Sequence, residues 1–463
     1  MRDRDGRRRY DNVLQTIGWT PLIRLNRVVD GARTPVWIKV ESFNPGGSVK
    51  DRIGLAIIEA AEREGRLRPG GTVVEGTSGN TGVGLAIAAA VKGYRCIFTI
   101  PDKMSAEKVR LLKAFGAEVI VTPSAVGPSD PDYYGNVARR IAEETPGAIL
   151  ADQFFNPVNP QAHYETTGPE IWEQTEGRVT HFVAAPGTGG TISGAARYLK
   201  ERNPEILVIA GDPEGSIFAG YARTGEKGTG APYKVEGIGN DKIPDTLHFD
   251  VVDEFRTVSD RTAFLMARRL TREEGLLAGG STGLIVKLAV DVAREADDPN
   301  ACVVCLLCDT GERYLSKLYN DEWMRENRML VVEPASARAL LTVKQAAGGP
   351  ALVEVGAEAT VAEALDLLDR HGVSQLPVLE EGRAVGSVTE TALMSAALED
   401  PACLERPVST VAQEVFPVVE ANEDVSRISR LFTRKVPAVL VQEEDRIVGI
   451  VTPYDILHHM IGT

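Results

Sequence analysis

A chain of 463 residues is too long for one hydrophobic core, so two or three domains are expected. With 43% apolar and 25% charged residues its composition is that of an ordinary globular protein, and a net charge of −14 argues against nucleic-acid binding. No apolar stretch reaches the ~18 residues that cross a bilayer, the charged N-terminus lacks a signal-peptide apolar core, and five cysteines make no disulfide framework, so a cytoplasmic protein off the membrane is expected.

Arg7, Arg8 and Arg9 form the one basic run, read as a frayed arm. In "NPGGSVKDR" (44–52) a lysine, Lys50, follows a Gly-Gly-Ser turn at a helix start. A phosphate-binding P-loop needs Gly-Lys-Ser/Thr, and here Val49 precedes and Asp51 follows Lys50, so that role is excluded. A covalent role would require an aldehyde partner and a phosphate site. Next come "TVVEGTSGNTGVGLAIAAAVKGY", "RCIFTIP", "SAEKVRLLKAFGA" and "EVIVTP", then "HFVAAPGTGGTISGAARYLKERNP" and "LVIAGDPEG". Strand, polar turn and helix alternate through them, which predicts a mostly parallel sheet covered on both faces, with ligands at the carboxyl ends of the strands.

The polar turns are the chemical signal. Gly76–Gly82 crowds hydroxyls, an amide and glycines at a helix N-terminus, where unpaired N–H groups and the helix dipole favour an anion. Pro186–Thr191 repeats this arrangement; its third dinucleotide-fingerprint glycine is replaced by Ile192, so it suits a terminal phosphate better than a nicotinamide dinucleotide. In "AGGSTGLIVKLAV" (278–290), Ser281 can cap the helix or face a heteroaromatic nitrogen. "ACVVCLLCD" (301–309) resembles a metal pattern, but a short β-branched run predicts a buried strand, on which Cys305 points away from Cys302 and Cys308.

Beyond residue 330 the pattern changes. "HGVSQLPVLEEGRAVGSVTE" (371–390) aligns without gaps to "RKVPAVLVQEEDRIVGIVTP" (434–453), 63 residues on, each copy preceded by a helical pattern, so a two-fold-related pair is expected. The domain boundaries read as a catalytic domain at 1–330, a linker at 331–345, and repeat domains at 346–400 and 401–463.

"TPLIRL", "NPGGSVKDRI", "TSGNTGVGLA", "GTGGTISG" and "GGSTG" occur in the order found in the β-family (fold type II) of pyridoxal-phosphate enzymes, which includes cysteine synthases and cystathionine β-synthases, and the chain resembles that family over roughly residues 12–330. The resemblance implies an α/β fold of two doubly wound subdomains followed by an α+β Bateman module. It also implies roles. Lys50 would bind the cofactor aldehyde covalently, Asn80 would meet the ring hydroxyl oxygen, and Gly187, Thr188, Gly189, Gly190 and Thr191 would hold the phosphate. Ser281 would face the pyridine nitrogen, and Thr77, Ser78, Thr81 and Gln153 would hold the substrate carboxylate.

"DPEGS" (212–216) and "YKVEGIGNDKIP" (233–244) are similar to the cystathionine β-synthase branch; cysteine synthases tend to carry glutamine at the position of Glu236. The implied reaction joins serine and homocysteine into cystathionine and water, with sulfide release from cysteine as a side activity. The alternative is a cysteine synthase using O-acetylserine and sulfide. Glu236 would be catalytic, in the proton network of the leaving hydroxyl, or would meet the homocysteine amine. Phe154, Asn240 and Cys308 depart from the animal enzymes, and the short segment before "TIGWTPL" has no Cys or His, so no haem ligand pair is expected there. The repeat is similar to a Bateman pair. Its second copy keeps Gly449, Thr452 and Asp455 of an adenosyl-ribose motif, whereas the first keeps Thr389 but has Ala392 at the aspartate position, so one S-adenosylmethionine site is expected. A homodimer or homotetramer is expected, with no metal ion.

Overall fold

A computed structural model describes residues 9–77, 79–102, 106–127, 129–330, 336–346, 349–433 and 436–456. Arg7, Arg8 and Ser78 lie outside the described residues. The chain divides into two compact units, Met1–Leu330 and Val331–Thr463. Among the described residues no helix is long and apolar enough to cross a membrane, and no three His, Cys, Asp or Glu side chains gather as metal ligands.

The strands of the first unit are β1 (Leu22–Arg24), β2 (Val36–Val40), β3 (Thr72–Gly76), β4 (Arg95–Pro101), β5 (Glu118–Thr122), β6 (Ala148–Leu150), β7 (His181–Ala184), β8 (Leu207–Pro213), β9 (Glu254–Val258) and β10 (Val303–Leu307). They form two sheets, ordered β1-β2-β10-β7-β8-β9 and β5-β4-β3-β6. Every pairing is parallel except β1 with β2. The strand order runs out of chain order because β10, at the end of the unit, inserts between β2 and β7. β10 is buried along its whole length, which explains its unbroken apolar sequence and why its Cys305 is packed rather than offered to a metal.

Packing sets where Lys50 stands. The helix Lys50–Arg63 lies against the helix Asn80–Lys92, and their glycines make the close approach possible: a Cβ added at Gly84 would sit 2.5 Å from the Lys50 carbonyl oxygen. Two residues into the same helix, Arg52 is buried between two carboxylates, 2.7 Å from Glu41 and 2.6 Å from Glu170, while Lys39 of β2 lies 2.6 Å from Glu170. Two cations and two anions balance within this network. Removing one partner would strand a buried charge, at a cost of about 3–5 kcal/mol.

The second unit holds two small sheets. β11 (Val355–Gly356), β12 (Gln375–Glu380) and β13 (Arg383–Thr389) form one; β14 (Val418–Glu420), β15 (Val439–Glu443) and β16 (Arg446–Val451) form the other. The 63-residue repeat extends to backbone detail. Each hairpin has a bulge, at Val378/Leu379 and at Val441/Gln442, and each turns through two left-handed residues, Glu381–Gly382 and Glu444–Asp445. The helix Val361–His371 is closed by a capping box of Thr360 and Glu363, and its counterpart Val425–Ser429 by Asp424. The helix Ala337–Ala346 buries Ala337, Leu340 and Leu341 in the core of the second copy.

Candidate active site

Four loop clusters of the first unit line one cavity of about 280 Å³, and Lys50, Asn80, Gly187, Thr188, Gly189, Thr191, Ser281 and Glu236 all face it, while Gly190 does not line it. Lys50 is half-buried there, and its amine makes no hydrogen bond or ion pair to any other described residue. Burial holds its ammonium below the usual lysine range, against the pull of Cys308, Asp309 and Glu41. An amine so placed spends more of its time neutral, as a nucleophile or base must.

Gly187–Thr191 runs into the helix Gly190–Arg202, and Gly189, Thr191 and Ile192 around its first turn line the cavity. Gly189 has φ +86°, and a Cβ there would also collide with Leu247, so only glycine serves. Thr188 accepts from Asn159 Nδ2 at 3.0 Å, and Thr191 Oγ1 lies 3.2 Å from His163 Nε2. Burial, then the nearby Arg52 and Lys50 charges, push His163 well below the usual histidine range, so it supports Thr191 as a neutral ring. Bare amides and two hydroxyls make the donor set that a phosphate dianion requires.

The other cradle is assembled differently. The Thr81 hydroxyl donates to Gln153 Oε1 at 2.6 Å, so two residues far apart in sequence form one donor wall; Thr77 Oγ1 accepts from the Gly79 N–H at 3.3 Å. Ser78, between them in sequence, belongs to the undescribed residues. Asn80 donates through Nδ2 to Asp309 at 2.8 Å and accepts from Arg313 through Oδ1, and Arg313 also donates to the Gly46 carbonyl. Ser281 is buried at the start of the helix Gly280–Ala296. The Cys308 thiol beside it is pushed up to about 12 by burial, against the pull of Lys50 and Ser281, so it stays neutral. Taken together, the cavity suits a flat heteroaromatic ring carrying an aldehyde, a hydroxyl and a phosphate.

Several participants gave no sequence signal. Asp309 accepts from Asn80 and from the Tyr314 hydroxyl at 2.6 Å, and Lys108 and Lys317 both reach Glu236. Asn159, His163 and Arg313 support the cradles from behind. Each is an unremarkable polar residue in its own stretch of sequence; only the fold brings it to the cavity.

In the second unit, Thr452 and Asp455 come together in a groove of about 820 Å³. Asp455 Oδ2 accepts from the Thr452 N–H at 2.7 Å and from its hydroxyl at 2.8 Å, and Lys344 Nζ lies 3.3 Å away. In the first copy Thr389 caps the helix Glu390–Glu399 by accepting from the Ala392 N–H at 3.2 Å, and Ala392 stands where the second copy has Asp455.

Comparison with known proteins agrees with this geometry. Residues 13–309 match the pyridoxal-phosphate dependent enzyme model, and residues 350–399 and 408–462 match the CBS domain model. The chain is 40% identical to the cystathionine beta-synthase of Dictyostelium discoideum, over 97% of this chain and 92% of that protein. It is also 40% identical to that of Oryctolagus cuniculus, over 96% of this chain and 84% of that protein. Among solved structures, an O-acetylserine dependent cystathionine beta-synthase from Helicobacter pylori aligns with TM-score 0.61 at 37% identity, covering 67% of this chain and 98% of that one. An O-ureido-L-serine synthase aligns with TM-score 0.62 at 38% identity, over 68% of this chain and 99% of its own. The chain belongs to the pyridoxal-phosphate dependent enzymes, in the cystathionine β-synthase family, and carries two CBS domains behind its catalytic unit.

Proposed function

We propose that the chain condenses L-serine with L-homocysteine to cystathionine and water, and that Lys50, the two cradles, Ser281 and Glu236 around one cavity carry the reaction. Bound pyridoxal phosphate supplies the electron sink that acidifies the α-proton of an attached amino acid. The chain's residues do the rest. Lys50 would hold the cofactor aldehyde, and its amine, when free, would take the Cα proton of serine and later return one. Gly187–Thr191 hold the phosphate, and Asn80 orients the ring oxygen. The neutral Ser281 hydroxyl would donate to the ring nitrogen without protonating it, which would limit charge build-up on the ring and favour loss of the β-hydroxyl. Thr77, Ser78, Thr81 and Gln153 hold the serine carboxylate.

The observation that carries this reading is Glu236, a carboxylate facing the same cavity as Lys50, in a chain 40% identical to cystathionine beta-synthases over nearly its full length. The second reading, a cysteine synthase using O-acetylserine and sulfide, draws on Phe154 at the cavity wall and on the O-acetylserine dependence of the Helicobacter pylori relative. Steady-state rates with serine plus homocysteine against O-acetylserine plus sulfide decide between them. A preference for the second pair overturns the first reading. Sulfide release from cysteine is the expected side activity of either.

The groove at Thr452 and Asp455 supports S-adenosylmethionine as a regulatory ligand, with one site per chain because Ala392 leaves the first copy without a ribose-binding carboxylate. Calorimetric titration tests this. A homodimer or homotetramer located in the cytoplasm completes the proposal, to be checked by light scattering and fractionation.

A further inference from the structure

The segment that follows β10 clasps the turn in front of Lys50. The Val49 N–H donates to the Cys308 carbonyl at 2.9 Å, and the Thr310 N–H donates to the Gly47 carbonyl at 3.0 Å. Two side chains of that segment, Asp309 and Arg313, meet at the amide of Asn80. Asn80 Nδ2 donates to Asp309 Oδ2 at 2.8 Å, and Asn80 Oδ1 accepts from Arg313 Nη1, whose Nη2 donates to the Gly46 carbonyl. The Tyr314 hydroxyl donates to the same Asp309 oxygen at 2.6 Å. Asp309 Oδ1 is buried with no hydrogen-bond partner among the described residues, so both donors converge on Oδ2.

These contacts decide which way the amide points. The oxygen and nitrogen of an amide have nearly the same shape, so the chemistry of their neighbours must tell them apart. A guanidinium has only donors, so the atom that faces Arg313 must be the amide oxygen. Asp309 Oδ2 already accepts from Tyr314, whose hydroxyl is held well above the usual tyrosine range by burial and then by Asp309, so it keeps its proton. The atom that faces Asp309 must therefore be the amide nitrogen. A flipped Asn80 would set oxygen against oxygen and N–H against guanidinium, and both hydrogen bonds would be lost together. Asn80 lines the cavity beside Lys50, and what it has left to present there is its second Nδ2 hydrogen, because its oxygen is engaged by a cation.

We propose that Arg313 and Asp309 are positioning residues that lock Asn80 as a hydrogen-bond donor to the ring oxygen of the cofactor, and so hold that oxygen unprotonated and negative. The proton that the ring oxygen could share with the nitrogen of Lys50 then leaves the oxygen and stays on the nitrogen. A positive charge there makes the adjoining carbon more open to attack by the amine of an incoming amino acid. The same guanidinium holds the Gly46 carbonyl, so one side chain sets both the ring-oxygen donor and the turn that carries Lys50. This inference rests on the proposed meeting of Asn80 with the ring oxygen and adds what makes Asn80 a donor there.

The test uses the full-length protein loaded with pyridoxal phosphate, at one pH and without substrate, and reads the absorbance bands of the protonated and unprotonated ring oxygen. Arg313→Met, which removes the cation that forbids the flip, is expected to raise the protonated-to-unprotonated band ratio roughly tenfold, the size of one hydrogen bond to a charged group. Asn80→Ala should do the same. Arg313→Lys, which keeps a cation with donors only, should return most of the wild-type ratio. In an Asn80→Ala background Arg313→Met should add nothing, because it acts through that amide. Borohydride-trapped attachment of the cofactor to Lys50 reports that each variant is folded and loaded; if Arg313→Met fails that check, Arg313→Gln takes its place with the same expected direction, since a glutamine amide tolerates either orientation of Asn80. An unchanged ratio in the loaded variant, or a change that persists in the Asn80→Ala background, overturns the positioning role. Bands that Asn80→Ala itself leaves unchanged overturn the reading that Asn80 meets the ring oxygen, a separate result.

Discussion

The catalytic cavity and the groove of the CBS unit each contain a helical lysine, Lys50 in the first turn of its helix and Lys344 in the last turn of its own, with opposite surroundings. Among the described residues Lys50 has no carboxylate partner, and burial disfavours its charge. Lys344 donates to Asp455 at 3.3 Å and to the Ile450 carbonyl at 3.1 Å, and Asp455 is only 8% exposed. A desolvated, unpartnered amine is available for bond formation; a paired one is an electrostatic fixture. What separates the two is the company each keeps in the fold.

That contrast can be broken most sharply at the lysines themselves. Lys50→Ala is expected to lower turnover by at least about a thousandfold and to end borohydride-trapped attachment of the cofactor, seen by mass spectrometry; Lys344→Ala should leave that attachment in place. Gly84→Val would push against the Lys50 carbonyl. It should cost about 1–3 kcal/mol in denaturant unfolding and weaken cofactor retention, because the start of the Lys50 helix must move. Thr81→Val, which breaks the donor wall with Gln153, should raise the serine KM by about tenfold, the effect of one lost hydrogen bond to a charged group.

A smaller effect concerns pH. Glu75, buried at the end of β3, has its carboxyl pushed up to about 8 by burial, although the Asp152 N–H donates to it at 2.7 Å. The native state therefore holds a proton that the unfolded chain releases near 4.5, and the stability contributed is lost as pH rises from that value to about 8. Wild-type Tm should fall across that interval by about 3 °C more than that of Glu75→Gln, which does not titrate. Smallest of all, Asp455→Ala should weaken S-adenosylmethionine binding about fivefold by calorimetry, as one ribose-binding carboxylate is lost.

Local rules made much of this legible. The glycine- and hydroxyl-rich turns at Gly76–Gly82 and Gly187–Thr191 read as candidate anion sites because every helix start leaves donors unpaired. β10 could be read from its apolar run, and the tail repeat from a gapless offset that the structure extends to matching bulges. The short strands β1, β6 and β9 were harder: three to five residues of mixed burial carry little periodicity. Nor does any local pattern say that β10 enters between β2 and β7, because strand order depends on long-range pairing.

By itself the sequence determined the alternation of strands and helices, the two glycine- and hydroxyl-rich helix starts, the lysine ahead of them and the repeated tail, all of which rest on local sequence pattern. Only the tertiary structure decided which charges meet. Lys108, Glu236 and Lys317 are separated by 128 and 81 residues, yet they share one carboxylate. Arg52 is neutralised by Glu41 and Glu170, while Lys50, two residues earlier, has no such partner among the described residues. Pairing and desolvation fall off over a few ångströms in space, a distance that separation along the chain does not report.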